Sequence, residues 1–204
     1  IRLTEKVPAL CANCHDSIKA PEGATVHAPF GAAECFSCHR PHGSPFGKLL
    51  AEPSEKLCLT CHDGLGGKDP AWTHKPFADG ACVACHEPHF SKASKLLKGA
   101  AGEACLTCHS DIADLVKAEH PHPPAASGEC TTCHTPHAGS RAKGLSEDAE
   151  KLCVSCHDPA DLKGPHKGYP VEAKQCMGCH DPHGSKAKGM LKSGAHPPVA
   201  EGTC

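Results

Sequence analysis

Hydrophobic residues occur along this chain in short runs that glycine and proline interrupt at close intervals. The 204 residues include 20 Gly and 19 Pro, and no run of about 18 apolar residues is present that could span a membrane. Alternating patterns typical of strands are sparse. Residues 110–119 form one longer amphipathic segment, whose apolar face contains Ile112, Leu115 and Val116. The pattern predicts a mostly irregular fold with short α-helices and little or no β-sheet.

The composition does not provide an ordinary hydrophobic core. Hydrophobic residues make up 39% of the chain, but aromatic residues, which normally supply much of the buried area, make up only 3%. The chain contains 17 Cys and 18 His, and cysteine at about 8% is typical of chains in which a covalent framework or a bound cofactor replaces the core. A net charge of -2 and a pI near 6.8 give no basic surplus for nucleic-acid binding.

Sixteen of the 17 cysteines form eight Cys-x-x-Cys pairs, and a histidine directly follows every pair. The paired cysteines are Cys11, Cys14, Cys35, Cys38, Cys58, Cys61, Cys82, Cys85, Cys105, Cys108, Cys130, Cys133, Cys153, Cys156, Cys176 and Cys179. The histidines that follow them are His15, His39, His62, His86, His109, His134, His157 and His180. Cys-x-x-Cys-His is the attachment sequence of c-type haem. Positions i, i+3 and i+4 of a helical turn share one face, so both thiols can bond the haem edge while the histidine ligates the iron. We therefore predict eight covalently bound haem c groups.

Other uses of paired cysteines fit this pattern less well. The pairs at 11–14 and 35–38 are spaced at the edge of the zinc-ribbon range, but zinc does not require a histidine after every pair. A disulfide scaffold has the same difficulty. Thioredoxin-like motifs occur singly on a βαβ unit, rather than repeatedly in a chain rich in Pro and Gly. A zinc-organised scaffold stays open as an alternative, and it predicts a colourless protein.

The motifs alternate between two kinds along the chain. Successive first cysteines are 24, 23, 24, 23, 25, 23 and 23 residues apart. In every second motif the histidine begins a His-x-Pro-His sequence, whose second histidines are His42, His89, His137 and His183. The pair of motifs recurs about every 47 residues, which indicates one structural unit copied along the chain. We predict a single array over 1–204, with repeats at about 35–81, 82–129 and 130–175 and partial repeats at 1–34 and 176–204.

A second set of histidines matches the motifs in number. His27, His74 and His122 each lie eight residues before the first cysteine of a CxxCHxPH motif, and His166 lies ten before it. With the second histidines of His-x-Pro-His they give eight further ligands for eight irons. Haem iron in electron carriers takes His/His or Met/His ligands, and the 2 Met of this chain are too few. The count predicts bis-histidine haems of low reduction potential.

The second histidine of His-x-Pro-His has to serve a neighbouring motif. His42 cannot reach round to the far side of a haem held by His39, because Pro41 between them ends the helix. The ligand network is then also the tertiary fold, with the haems as its core. His120 lies outside the register of the other histidines, and we expect a surface or capping role for it.

The last residues of the sequence suggest a further motif. Cys204 lies eight residues after His196, as Cys130 does after His122. We interpret Cys204 as the first cysteine of a ninth haem motif in a sequence that stops in mid-repeat. The alternative is a free thiol or an intermolecular disulfide.

These motifs resemble those of the multihaem cytochromes c built from the doubled unit CxxCHxPH, a Leu-containing spacer and LCxxCH. Residues 35–62 fit the unit throughout, with Lys48-Leu49-Leu50 in the spacer, and similar stretches start at Cys82 and Cys130. The resemblance implies haems packed alternately stacked and perpendicular as an electron conduit, in a bacterial or archaeal protein matured outside the cytoplasm. Ile1-Arg2-Leu3-Thr4 shows no secretory signal, so we expect the signal of a periplasmic or extracellular protein to lie before it.

The function predicted from these features is electron transfer in respiration or to extracellular acceptors, without a catalytic residue. Six-coordinate iron leaves no position for a substrate. The expected partners are redox proteins or extracellular acceptors, and a linear repeat could also continue into a filament or larger haem array. The alternative is a multihaem reductase of nitrite, hydroxylamine or a sulfur compound, which needs one haem with an open position. The irregular offset of His166 marks the haem that it serves as the place for such a vacancy.

Overall fold

The computed structural model describes residues 4–164, 166 and 175–198 of the chain. No α-helix within this part is longer than six residues. The helices are α1 (Ala9–Ala12), α2 (Ala28–Gly31), α3 (Ser54–Leu57), α4 (Lys75–Ala78), α5 (Ala101–Leu106), α6 (Ser110–Leu115), α7 (Pro123–Ala126), α8 (Ala149–Val154), α9 (Pro159–Leu162) and α10 (Cys176–Cys179). Single 3-10 turns lie at Asp16–Ile18, Cys35–Ser37, Gly47–Leu49, Cys58–Thr60, Cys82–Ala84, Ser94–Leu96, Cys130–Thr132, Ala142–Gly144 and Lys188–Met190. The predicted class, mostly irregular with short helices, is confirmed.

The amphipathic segment at 110–119 forms a shorter helix than its pattern predicts. Helix α6 begins at Ser110 as expected but ends at Leu115, and Val116 is its C-cap. Two prolines follow closely, at Pro121 and Pro123, and each disfavours helical backbone in the residue before it. The chain there becomes extended instead.

Strands of two residues pair into small antiparallel ladders. Strand β1 (Thr25–Val26) pairs with β3 (Phe90–Ser91), β2 (Trp72–Thr73) pairs with β5 (Ala138–Gly139), and β4 (His120–Pro121) pairs with β6 (Gly184–Ser185). In each ladder one strand stands just before a predicted distal histidine, and the other just after a His-x-Pro-His sequence. Ladders this short are marginal by themselves, so their value is in the side chains that they bring together.

The chain divides into two compact units. The first comprises Ile1–Gly66 and His74–Ala104, and it contains the β1–β3 ladder. The second comprises Gly67–Thr73 and Cys105–Cys204, and it contains the β2–β5 and β4–β6 ladders.

An ordinary apolar core is missing from the part of the chain described. No hydrophobic side chain is buried there, and the buried polar residues are Ser91 and Ser185, each 8% exposed. Folded domains of this size normally bury most of their apolar surface among themselves. The apolar surface of these units is therefore available to something other than protein. Within the same residues, no helix is long and apolar enough to cross a membrane.

Candidate functional site

Every motif folds into the same turn. The backbone N–H of each motif histidine donates to the carbonyl of the first cysteine, four residues earlier, at 2.9 to 3.2 Å. In the first motif this bond runs from His15 to Cys11 at 3.0 Å, and in the last from His180 to Cys176 at 3.0 Å. One closed helical turn puts both thiols and the imidazole on one side. None of the sixteen motif cysteines forms a disulfide within the described residues.

Histidines from different motifs lie opposite one another at a nearly constant distance. In the first unit, the ring centres of His27 and His62 are 6.1 Å apart, and those of His39 and His89 are also 6.1 Å apart. In the second unit the same distance separates His122 from His157 and His134 from His183, and His166 lies 5.9 Å from His180. The rings of the four 6.1 Å pairs are inclined at 12 to 46°, and those of the last pair at 73°.

This distance fits one metal ion between two imidazoles. Two metal–nitrogen bonds of about 2 Å each, with about 1 Å from each nitrogen to its ring centre, give about 6 Å. A direct ring contact in the same structure is closer: Phe30 stacks on His89 with ring centres 4.9 Å apart. The recurrence of 6.1 Å at equivalent positions of separate repeats indicates a gap of fixed width rather than loose ring stacking.

Hydrogen bonds to Nδ1 leave the other ring nitrogen for the metal. Nδ1 of His39, His86, His134 and His180 lies 3.0, 2.9, 3.1 and 2.7 Å from the carbonyl oxygens of Lys48, Lys95, Lys143 and Gly189 respectively. On the opposite side, Nδ1 of His27 and of His122 lies 2.9 Å from the carbonyls of Pro88 and Pro182. His166 bonds the Leu162 carbonyl at 2.8 Å. A carbonyl can only accept, so Nδ1 carries the proton and Nε2 is free to ligate, as in most histidine–metal sites.

The carbonyls that hold the motif histidines come from a turn that sequence reasoning missed. Lys48 and Leu49 have φ of 56° and 54°, Lys95 and Leu96 have 55° and 57°, and Lys143 has 57°. Non-glycine residues adopt this left-handed conformation at a cost of about 1 kcal/mol or more each. In return, both carbonyls of the turn point at the motif: that of Lys48 reaches His39, and that of Leu49 accepts the Arg40 N–H at 2.7 Å. One sequence signal could have predicted this turn. A dipeptide begins nine residues after the first-motif histidine in every repeat, and it reads Lys-Leu, Lys-Leu, Lys-Gly and Gly-Met in turn.

Neighbouring motifs approach through alternate cysteines. Burial, together with the Cys82 and Cys38 thiols, raises the pKa of Cys58 to about 11, and burial together with Cys176 raises the pKa of Cys153. Within a repeat the contact is between the second cysteines: burial and the Cys61 thiol raise the pKa of Cys38. The pKa of Cys133 is raised in the same way by burial and Cys156. The attachment points of successive motifs are therefore adjacent.

Burial favours the neutral form of two second histidines of His-x-Pro-His sequences, His89 and His183. Partial burial lowers the pKa of His89, and the positive charges of His39 and His27 would lower it further. Partial burial likewise lowers the pKa of His183, against an opposing effect of Asp181. Only a neutral imidazole can ligate a metal, so this environment favours the ligating form.

The remaining predicted histidines take the same places on the fold. His74 is the N-cap of α4, His109 is the N-cap of α6, and His137 directly precedes β5. His15 and His42 differ: both are exposed, and no other ring of the described residues faces either of them. The interpretation of Cys204 as part of a ninth motif lies outside the described residues.

The residues present fit a covalently attached haem at every complete pair. Two thiols and an imidazole on one side of a turn, and a second imidazole about 6 Å away, are the donor set of a bis-histidine haem c. Exposed apolar side chains stand inside the motifs, such as Phe36 at 46% and Val83 at 47% exposure, where a porphyrin would cover them. The protein lacks buried apolar side chains in its described part because the fold leaves that role to the cofactor.

Comparison with known proteins gives the same assignment. The family model described as the doubled CXXCH motif matches residues 27–67, 74–114, 122–162 and 169–195, which together are well over half of the chain. No curated protein matches the chain. The chain belongs to the doubled CXXCH motif family and is a multihaem c-type cytochrome with covalently bound haem c.

Proposed function

We propose that the protein carries electrons along a row of eight bis-histidine haems. The observation that supports this most directly is the set of imidazole pairs at 6.1 Å, formed by equivalent residues of separate repeats. The eight motif histidines are the proximal ligands in this proposal. The distal ligands are His27, His42, His74, His89, His122, His137, His166 and His183.

Haem iron with two imidazole ligands supplies a one-electron couple and no free position for a substrate. The residues of the chain hold it in that state. Carbonyls such as those of Lys48 and Pro88 orient the rings of His39 and His27, so the ligands need little rearrangement when the iron changes charge. The chain thus keeps the imidazole ligands in a fixed orientation.

The order of the motifs supports conduction over storage in isolated centres. Cys38 interacts with Cys61 within one repeat, and Cys58 interacts with Cys82 of the next. The attachment site at 58–62 therefore has a neighbouring motif on both sides. Electrons can pass along such a row without leaving the protein.

We place the protein in the periplasm or at the cell exterior, in respiratory or extracellular electron transfer, because multihaem c-type cytochromes are typically found there. Its partners in this proposal are redox proteins or extracellular electron acceptors. Self-association into a larger haem array would extend the same conduit.

Spectroscopy of the purified protein tests the proposal. We expect a red protein, a haem content of eight per chain by pyridine haemochrome assay and intact mass, and predominantly low-spin ferric signals in electron paramagnetic resonance. Replacing both Cys82 and Cys85 by alanine should lower the haem content from eight to seven. A colourless protein, or carbon monoxide binding at most irons after reduction with dithionite, would refute the proposal.

A multihaem reductase is the second candidate, and the haem served by His166 is where it would need an open position. The rings of His166 and His180 are inclined at 73°, whereas those of the 6.1 Å pairs are inclined at 12 to 46°. An open position at that iron could bind nitrite or hydroxylamine. Steady turnover of either compound by the isolated protein, lost when the motif at 176–180 is removed, would support this candidate over the conduit.

A further inference from the structure

The second residue of each His-x-Pro-His sequence is held by the same backbone hydrogen bond. Its N–H donates to a carbonyl of the left-handed turn at 2.6 to 2.9 Å. The donors are Arg40, Glu87, Thr135 and Asp181, and the acceptors, in the same order, are Leu49, Leu96, Gly144 and Met190. Four side chains of different charge therefore start from equivalent places. Each of them can be compared for its effect on the histidine two residues later.

Three of these side chains make no bond with that histidine. Arg40 Nη1 donates to the Phe36 carbonyl at 2.7 Å, and the Thr135 hydroxyl donates to the Gly144 carbonyl at 3.1 Å, so both are turned toward the motif or its turn. The Glu87 carboxylate accepts no hydrogen bond from the described residues, and its charge has the smallest of the effects on the pKa of His89. These three positions are therefore the natural comparison for the fourth.

Asp181 is the member of this set that faces its histidine. Its Oδ1 accepts the backbone N–H of His183 at 3.0 Å and lies 3.6 Å from Nδ1 of the His183 ring. The second distance is that of an ion pair and is longer than a hydrogen bond, so the carboxylate acts on the ring through its charge. The side chains of His183 and Asp181 are only 28% and 27% exposed, so water and salt screen this charge in part.

The two rings of the His134–His183 pair differ in what their Nδ1 atoms meet. Nδ1 of His134 donates to the Lys143 carbonyl, whereas Nδ1 of His183 has no carbonyl partner among the described residues. With Nε2 of His183 on the iron, its Nδ1–H faces Asp181. The charges of Asp181 and of Asp111, in the first turn of α6, both raise the pKa of His183 against the larger effect of burial. An acceptor beside the second nitrogen of a ligating histidine makes the ligand more basic and tunes the metal.

We propose that the Asp181 carboxylate lowers the reduction potential of the iron held between His134 and His183, as a positioning residue that acts through the distal ring. A negative charge beside Nδ1–H strengthens the bond from Nε2 to the iron and stabilises the ferric state over the ferrous state. One electron enters or leaves the iron, and Asp181 neither binds the iron nor transfers a proton. Electrons therefore pass through this iron rather than rest on it. This inference rests on the proposed bis-histidine haems.

Asp181→Asn tests the proposal, because an amide oxygen can still accept the His183 N–H while the charge is removed. In a spectroelectrochemical titration of the haem-loaded protein, one component of eight should move to higher potential. The expected change is about tenfold in the equilibrium constant for reduction, which is about 59 mV for a one-electron couple. The haem content should not change, and all irons that were low-spin should stay so in electron paramagnetic resonance, with altered g values for one of them.

A double-mutant cycle with His183→Met assigns the shift to this iron. His183→Met moves the same iron to higher potential and removes Nδ1–H, so adding Asp181→Asn in that background should shift its potential by less than half as much. The control is Asp114→Asn, which removes an equal charge from an exposed place on α6 that does not act on His183. This control should leave the potentials of all the haems nearly unchanged.

Three results would overturn the inference. They are no shifted component in Asp181→Asn, a uniform shift of all components like that of a general loss of charge, and an undiminished shift in the His183→Met background. None of them touches the proposed function, because the haem content and the low-spin signals test that separately.

Discussion

Two segments of this protein share the sequence Pro-His-Gly-Ser but differ in their surroundings. We number the four repeats of the family match in chain order: repeat 1 (27–67), repeat 2 (74–114), repeat 3 (122–162) and repeat 4 (169–195). In repeat 4 the segment 182–185 is covered by β4, and Ser185 is 8% exposed. In repeat 1 the segment 41–44 has no strand against it within the described residues, and His42 is exposed. The local sequence therefore sets the backbone of the segment, while the opening strand of a neighbouring repeat decides whether its histidine is enclosed. The folding unit is the junction between repeats rather than the repeat itself.

The largest expected difference between the two segments is in iron ligation. His183→Ala removes the ring that faces His134 at 6.1 Å, so dilute protein should gain one high-spin, carbon monoxide-binding iron per chain. His42→Ala should add none under the same conditions, because no ring of the described residues faces His42. His183→Met should keep a low-spin iron but raise its reduction potential, since Met in place of His raises the potential. Equal carbon monoxide binding by the two alanine variants would show that the segments are equivalent.

The next difference is in the space around the glycine of each segment, Gly184 and Gly43. A Cβ on Gly184 would lie 2.4 Å from the Leu115 carbonyl oxygen and 2.9 Å from the Pro121 Cα, whereas a Cβ on Gly43 would have no atom within 4 Å. Their φ angles are similar, at 149° and 156°, so the backbone strain of an alanine is nearly the same at both positions. Thermal unfolding should show Gly184→Ala to be less stable than Gly43→Ala by about 1–3 kcal/mol.

If the two alanine variants unfold at the same temperature in dilute solution, the β4–β6 junction does not constrain Gly184.

A smaller difference in stability is expected from replacing Ser44 in repeat 1 and its equivalent, Ser91, in repeat 2. Ser91 is buried and its hydroxyl donates to the Leu97 carbonyl, so Ser91→Ala leaves that partly buried carbonyl without its donor, at a cost of about 1–3 kcal/mol. Ser44 makes the equivalent bond to Leu50 on an open edge, where water can replace the hydroxyl. Chemical denaturation of dilute protein should therefore give a lower free energy of unfolding for Ser91→Ala than for Ser44→Ala. The reverse order would mean that the edge of repeat 1 is enclosed in the isolated chain.

How far the sequence predicts this structure depends on the distance between the interacting residues. The turn of each motif is local, so Cys11 and His15 alone predict it, and the Gly/Pro punctuation predicts short helices. The pairing of His27 with His62 joins residues 35 apart in the sequence, and counting histidines gives their number but not their partners. The backbone carbonyls that hold the motif histidines could not be predicted, because Lys48 and Leu49 are not residue types that signal a positive φ.

The irregular offset of His166 predicts a vacant iron there, and this stays a prediction. In the structure the ring of His166 faces His180 at an inclination of 73°. A spacing change of two residues is absorbed locally, because His166 sits just after α9 and is held by the Leu162 carbonyl of that helix.

The smallest expected effect extends the comparison to repeat 3. Arg141 stands where repeats 2 and 4 have Ala93 and Ala187, and its guanidinium pairs with Glu147 and, at 2.8 Å, with Asp148. The hydrogen bond and charge of Arg141 hold the pKa of Asp148 below its usual range, and a hydrogen bond from the Asp148 backbone N–H, together with the charge of Arg141, lowers the pKa of Glu147. These carboxylates have a lower pKa folded than unfolded, so their stabilisation is present at neutral pH and is lost as the pH falls through the folded pKa values.

Because all three groups are on the surface, Arg141→Ala should lower the unfolding temperature only slightly at pH 7, and less still at high salt. The difference from the wild type should vanish in acid, below the pKa values of both carboxyls. Iron spin states should not change, because the alanine restores what repeats 2 and 4 carry at that place. A loss of low-spin signal in this variant would instead assign Arg141 a part in holding the turn at Lys143, whose carbonyl orients His134.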